Sequence, residues 1–337
     1  MRNVCEISIK NLIYNAKQIK KLLPKGVKFN AVVKADAYGH GLEKVASALY
    51  PFVDSYSVAL VEEAISLRNS GIDKEILVLI PLDKSEIDRA IEYNLTVTVT
   101  ELRQAKDVNE IAKKRNAVCR VHVKVDTGIN RLGFSDLDKL EKAVKFLSGK
   151  KNVKLCGLFS HYACPEDEKS LKSATDKFLL AIERVKRYNN KVICHASASG
   201  GFLKGKFFDM VRIGILLYGY KPFESNLINV KPVMKIYARV LKRRSLDKGQ
   251  SALYGVNPIE QATDITLIRY GYADGLERKK VGEQINNRCM DITAVRGALR
   301  KKICILKDAS LLAKEYQTIT YEILTKSAIR AEKIYVY

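Results

Sequence analysis

Eight short, β-branched apolar runs recur between residues 28 and 219, separated by longer amphipathic stretches, and this alternation constrains the fold more than any other feature. The runs are KFNAVVKA (28–35), SYSVALV (55–61), EILVLI (75–80), NLTVTVT (94–100), RVHVKVD (120–126), KLCGLFS (154–160), KVICHAS (191–197) and MVRIGILLYG (210–219). Segments such as KSEIDRAIEY, ELRQAKDVNEIAKKR and SDLDKLEKAVKFLSG lie between them and read as helices. Strands alternating with helices make parallel βαβ units, because a parallel connection must cross over the sheet. Eight units match a (β/α)8 TIM barrel of about 250 residues. The rival, a doubly wound open sheet, usually carries GxGxxG after its first strand, and that pattern is absent here. After residue 225 the texture changes to KPVMKIYARVLKRR, DITLIRYGY, MDITAVRG, KICILK, TYEIL and KIYVY, read as strands with few helices between them. The expected organisation is a barrel over 1–225 and a smaller, mainly-β domain over 226–337.

Composition narrows the function class. A chain of 337 residues that is 47% hydrophobic can bury a substantial core, which excludes intrinsic disorder. It has no apolar run of the ~18–20 residues needed to cross a membrane. Its start, MRNVCEISIKNLIYN, is broken by Glu6, Lys10 and Asn11 and has no signal-peptide block, so a cytoplasmic protein is expected. The seven cysteines (5, 119, 156, 164, 194, 289, 304) are scattered and form no CxxC pair, which predicts reduced thiols and no metal site. The net charge of +22 suggests nucleic acid at first sight. However, the lysines sit beside acids on the amphipathic stretches, and the clusters LKRR, ERKK and LRKK lie far apart. A solvated lysine-rich surface, with no nucleic-acid partner, is the expectation.

Barrel active sites lie at the C-terminal ends of the strands. That rule gathers Lys34, followed by ADAYGHG; Asp126, followed by TGINRLGF with Arg131; Ser160 and His161; HASASGG (195–201); and Arg212 with Gly214. A desolvated lysine has a depressed pKa and can attack a carbonyl to form a Schiff base, which singles out Lys34. Alternation places His122, Lys124 and Asp126 on one face of the fifth run, pointing into the barrel. Buried Lys124 then needs a partner or a modification, and a structural pair with Asp126 is one solution. Ser199, Gly200, Gly201 and Gly214 lie in the loops that often hold phosphate in barrels. Together with Lys34 they suggest pyridoxal phosphate, with its aldehyde on the lysine and its phosphate on the glycine loops. Read singly, His161 and His195 are structural, RYGYADG (269–275) is a strand ending in a turn, and Tyr254 and Cys289-Met290-Asp291 are core or turn residues.

In combination, AVVKADAYGHG, SVALVEEAISLRNSGI, EILVLIP, VKVDTGINRLGF, GLFSHYA, VRIGILLYG, ALYG, RYGYADG, CMD and YEIL resemble the alanine racemase family, in family order and over nearly the whole chain. The resemblance implies a pyridoxal 5'-phosphate enzyme with a (β/α)8 barrel and a C-terminal β domain, working as a homodimer on a small amino acid. It implies two-base racemisation of L- and D-alanine, supplying D-alanine for peptidoglycan. Lys34 would carry the cofactor and act as one base, and Tyr254, from the partner subunit, would be the other. Tyr38, Ser199, Gly214 and Ile215 would bind phosphate, Arg212 would face the pyridine nitrogen, and Arg131 would contact cofactor and substrate carboxylate. His161 and Arg212 would supply positive charge near the tyrosine. Met290 would contribute backbone to substrate binding. Glu166, Tyr272 and Arg278 would line the substrate corridor, and Lys124 matches a lysine that is carbamylated in some members.

Three positions depart from the family pattern. Ile329 stands where a tyrosine usually precedes the arginine of the YEI…R segment, Ala198 replaces an asparagine before Ser199, and Asn286-Asn287 replaces a Gly-Arg before Cys-Met-Asp. Loss of the tyrosine removes a hydrogen bond and alters the pocket wall, which makes a serine or broader-specificity racemase the alternative. A non-catalytic pyridoxal-phosphate carrier barrel is the alternative of another class, and it would need neither Tyr254 nor the CMD segment.

Overall fold

The computed structural model describes residues 3–255, 258–279, 282, 284–299 and 301–337. The chain forms two compact units: one comprises Ile13–Ala37 and Leu42–Val230, the other Met1–Leu12, Tyr38–Gly41 and Lys231–Tyr337. Among the described residues no helix is long and apolar enough to cross a membrane.

A short strand, β1 (Val4–Ser8), opens the chain and belongs to the second unit. The first unit is built on β2 (Lys28–Val32), β3 (Ser55–Val58), β4 (Glu75–Val78), β5 (Thr96–Val99), β6 (Cys119–Lys124), β7 (Val153–Phe159), β8 (Ile193–His195) and β9 (Met210–Ile213). They form one eight-stranded sheet in the order β8-β7-β6-β5-β4-β3-β2-β9, with each of these neighbours paired in parallel. The edges meet: Asp209 N–H donates to the Cys194 carbonyl and Arg212 N–H to the Ser197 carbonyl, both at 2.9 Å, closing β9 against β8. The alternation of runs and amphipathic stretches is therefore a (β/α)8 barrel.

The helices bury one stripe each. In Leu137–Ser148 that stripe is Leu140, Ala143, Val144 and Leu147, at the spacing of one helical face, and Asp136 caps its first turn by accepting from the Asp138 and Lys139 N–H groups. Inside the barrel, polar side chains on neighbouring strands pair with one another at Asn30. Asn30 donates to Ser55 Oγ at 2.8 Å and accepts from Ser57 at 2.7 Å.

The second unit is a sheet in the order β12-β13-β11-β10-β1-β15, with β14 paired to β10. Its later strands are β10 (Met234–Leu246), β11 (Thr263–Ile268), β12 (Gln284–Ile285), β13 (Thr293–Arg296), β14 (Lys302–Leu306) and β15 (Glu332–Val336). β1 runs antiparallel to β10 and parallel to β15. One expectation fails here. TYEIL is not a strand but the start of the helix Thr320–Ser327, which buries Ile323, Leu324 and Ser327. A five-residue apolar run fits either period, and packing decided for the helix.

Candidate active site

Lys34 lies just beyond β2, at the C-terminal end of the barrel, and begins the turn Lys34–Gly39. Ala35, Asp36, Ala37 and Tyr38 have φ of 52° to 55°, so this turn is left-handed. Each such residue costs roughly 1–2 kcal/mol, and specific bonds hold the strain. Ala37 N–H donates to the Val33 carbonyl at 2.8 Å, Leu42 N–H to Asp36 Oδ1 at 2.8 Å, and Ala35 N–H to Glu63 Oε1 at 2.5 Å. The other oxygen of Glu63 accepts from the Ala59 and Leu60 N–H groups at 2.8 and 3.1 Å. One carboxylate thus ties the lysine turn to the loop after β3. Burial, and then the Arg131 guanidinium, pull the Lys34 pKa below the lysine range against an opposing pull from Glu63.

Arg131 is presented by a loop that folds back on β6. Asp126 organises it, with Oδ1 accepting from Gly128 N–H at 2.8 Å and Asn130 N–H at 3.2 Å, and Oδ2 from Arg131 N–H at 2.9 Å. Phe134 returns to the strand, donating to the Lys124 carbonyl at 2.9 Å. Asp126 is therefore a loop organiser. Lys124 instead donates its Nζ to the Leu132 carbonyl at 2.8 Å. Burial, then Arg212, and also Arg131 lower the Lys124 pKa to about 8, against Asp126.

Arg212 is buried in β9 and both terminal nitrogens of its guanidinium are engaged. Nη2 donates to the Ser160 carbonyl at 2.6 Å and the Ala196 carbonyl at 3.2 Å, while Nη1 reaches the His195 carbonyl at 3.0 Å and His195 Nδ1 at 2.5 Å. Its guanidinium carbon stands 5.3 Å from the Phe159 ring centroid, and the same ring stacks on His195 at 5.1 Å. His161 is surrounded by cations. Burial, then Arg212, Arg131, Lys124 and Lys34, push its pKa down to about 3, so it is neutral at physiological pH. Lys34, Lys124, Arg131, His161 and Arg212, from four different strands (β2, β6, β7 and β9) or the loops after them, thus form one electrostatic cluster.

Ser199 begins the short helix Ser199–Leu203, and Gly214 begins a second tight turn in which Leu217 N–H donates to the Gly214 carbonyl at 2.8 Å. Gly214 N–H lies 3.3 Å from Ser199 Oγ, so the two turn starts adjoin. The first N–H groups of a helical turn have no acceptor within it, which suits them to an anion. Glu166 is exposed on the loop after β7.

Tyr38, Tyr254, Tyr272, Arg278 and Met290 all belong to the second unit. The Tyr38 ring lies 5.9 Å from that of Tyr321, and burial followed by Tyr321 raises its pKa. Tyr254 is 76% exposed and Met290 54% exposed. The GYADG and CMD motifs form one constellation. Tyr272 N–H donates to the Cys289 carbonyl at 3.1 Å and Ala273 N–H to the Met290 carbonyl at 3.0 Å. Gly271 is required there, because any Cβ would collide with the Met290 carbonyl. Asn286 donates its amide to the Ala252 carbonyl at 2.9 Å, anchoring the segment that carries Tyr254. Arg288, which no motif in the sequence marks, is buried and donates to the Glu277 carbonyl at 2.9 Å and to the Tyr316 hydroxyl. Glu63, His122 and Phe159 were likewise not assigned a role from sequence.

The profile described as alanine racemase, N-terminal domain, matches residues 7–222, and that of alanine racemase, C-terminal domain, matches 233–335. The chain belongs to the alanine racemase family. The alanine racemase of Treponema denticola is 34% identical over 98% of this chain and 97% of its own length. Alanine racemase 2 of Caldanaerobacter subterraneus subsp. tengcongensis is 31% identical over 98% and 94%. Among solved structures, alanine racemase of Clostridium difficile 630 superposes with a TM-score of 0.94 at 28% identity, covering 100% of this chain and 96% of that one.

Within the alanine racemase pattern, Ala198 occupies the N-cap of Ser199–Leu203 with extended backbone (φ −93°, ψ −164°) and no side-chain acceptor. Restoring the family's asparagine with Ala198→Asn should stabilise the fold by ~1 kcal/mol. That corresponds to a Tm rise of about 1–2 °C in calorimetry for a chain of this length, and an unchanged or lowered Tm would contradict the capping assignment.

Proposed function

We propose that this protein interconverts L-alanine and D-alanine with pyridoxal 5'-phosphate as cofactor, working as a cytoplasmic homodimer that supplies D-alanine for peptidoglycan. The observation that carries the proposal is Lys34: an amine with a lowered pKa, on a braced turn at the barrel mouth, among Arg131 and Arg212. The donor set fits the cofactor. The lysine amine suits an aldehyde, Ser199 with the N–H groups of Gly214 and Ile215 suits a phosphate joined by the Tyr38 hydroxyl, and Arg212 would donate toward the pyridine nitrogen. When bound, the cofactor serves as an electron sink that acidifies the substrate Cα–H.

The chain's own groups account for the rest. Arg131 would hold the substrate carboxylate, with backbone from the partner's Met290. Inversion at Cα needs a base on each face, and Lys34 serves one of them. The partner's Tyr254 serves the other, and its 76% exposure supports that role, because a residue that completes another subunit's site must project from its own. A tyrosine with a pKa near 10 needs a neighbouring cation to act as a base. His161 is held neutral, which leaves Arg212 as that cation. At Lys124, a pKa of about 8 makes the neutral amine accessible for carbamylation, and the resulting anion would sit between Arg131 and Arg212. Glu166, with the partner's Tyr272 and the partner's Arg278, would line the approach.

The decisive test is α-hydrogen exchange of each alanine enantiomer in heavy water, where the holoenzyme should exchange both. Exchange of neither would refute the proposal. Ile329, 67% exposed in place of the family tyrosine, favours a second reading as a serine or broader-specificity racemase. Turnover of L-serine equal to that of L-alanine would decide for it.

A further inference from the structure

Four buried or half-buried side chains line up across the barrel interior. Arg212 Nη1 stands 2.5 Å from His195 Nδ1, His195 Nε2 stands 2.9 Å from His122 Nδ1, and His122 Nε2 stands 3.5 Å from Glu75 Oε1. Glu75 opens β4, so the line runs from the barrel mouth toward the N-terminal ends of the strands. The protons along it are determined by chemistry. A guanidinium only donates, so His195 Nδ1 accepts and its proton sits on Nε2. That proton points at His122 Nδ1, which therefore also accepts. The His122 proton is then on Nε2, facing Glu75. Both imidazoles are neutral Nε2–H tautomers, because each Nδ1 is occupied as an acceptor.

The surroundings are built for this line. Gly157 on β7 is where a Cβ would stand 2.6 Å from the His122 ring, and the β6–β7 register shifts between Val121 and His122. Phe159 stacks flat on His195, with 2° between the rings. At the far end Thr96 donates to Glu75 Oε1 at 2.9 Å, and Arg120 Nε donates to Thr96 at 3.2 Å. Burial would raise the Glu75 pKa, but the His122 contact, the Thr96 hydroxyl and the Arg120 guanidinium outweigh it and hold the carboxyl below its usual range, an anion at neutral pH.

We propose that Glu75, acting through His122 and His195, is a positioning residue for Arg212. Its carboxylate is the acceptor that the last proton of the line faces, at ion-pair rather than hydrogen-bond geometry, and this keeps His195 Nδ1 open as an acceptor and the guanidinium fixed and cationic. Without that acceptor, His122 gains by moving its proton to Nδ1. That reverses His195 and turns an N–H against Arg212. The kinetic consequence rests on the racemase reading, whereas the tautomer assignment does not.

The chain has only four histidines, so nitrogen-15 NMR of the ring-labelled holoenzyme can assign His122 and His195. Wild type should show both as neutral Nε2–H tautomers, and an Nδ1–H or doubly protonated ring at either would overturn the proposal even if every variant misfolded. Glu75→Gln retains an acceptor and should keep both tautomers, with kcat within about threefold of wild type. Glu75→Leu should show mixed tautomers and a kcat lowered by about 10–100-fold, with KM little changed, as for a misplaced active-site group. Unaltered tautomers and kcat in a folded Glu75→Leu would also overturn it. If no variant or wild type racemises while the wild-type tautomers stand as assigned, the racemase reading fails and the line does not.

Discussion

Lys34→Ala should lose the visible absorbance of bound cofactor and lower racemisation by more than about 10⁴-fold, the upper end of what one acid–base group contributes. On the proposed roles the substitution would remove two functions at once, the covalent anchor and one of the two bases, so the loss should exceed that of either alone. The strained turn does not depend on the lysine side chain. Its bonds run through Ala35, Asp36 and Ala37 to Glu63, Leu42 and Val33. The variant should therefore fold, with an essentially unchanged circular dichroism spectrum. Retained colour in a folded Lys34→Ala would mean that the amine is not the anchor.

Tyr254→Phe should separate the two faces of the substrate. Colour should persist, because Lys34 is intact, while α-proton removal from L-alanine falls by about 10²–10⁴-fold and removal from D-alanine is affected far less. Tyr254 is mostly exposed in its own chain, so loss of its hydroxyl should change stability by no more than about 0.5 kcal/mol. A large effect on activity beside a negligible effect on Tm distinguishes a base from a structural tyrosine. Normal racemisation by this variant would remove the two-base assignment.

The eight barrel strands were legible because each is a dense β-branched run between long amphipathic stretches, and the two periods differ sharply. β1 is not legible as a strand. It is only five residues long, and its partners β10 and β15 begin at residues 234 and 332. Nothing local marks such pairing. Lys34, Arg131 and Arg212 could be gathered in advance because one rule, chemistry at strand C-termini, orders them. The line from Arg212 to Glu75 could not. Residues 75, 122, 195 and 212 share no spacing, and only the barrel's registers bring their side chains together. The left-handed turn was equally hidden, since ADAY contains no glycine and its geometry is imposed by Glu63 and Asp36.

The placement of Lys34 in one unit and of exposed Tyr254 in the other has a consequence for mixed populations. In a symmetric dimer with exchanged bases, a mixed pair of Lys34→Ala and Tyr254→Phe chains concentrates both defects in one site and leaves the other site with both bases intact. Two inactive preparations, unfolded and refolded together, should regain roughly a quarter of wild-type activity, because about half of randomly assorted pairs are mixed and each has one working site of two. Complementation of this kind would report which chain lends which base.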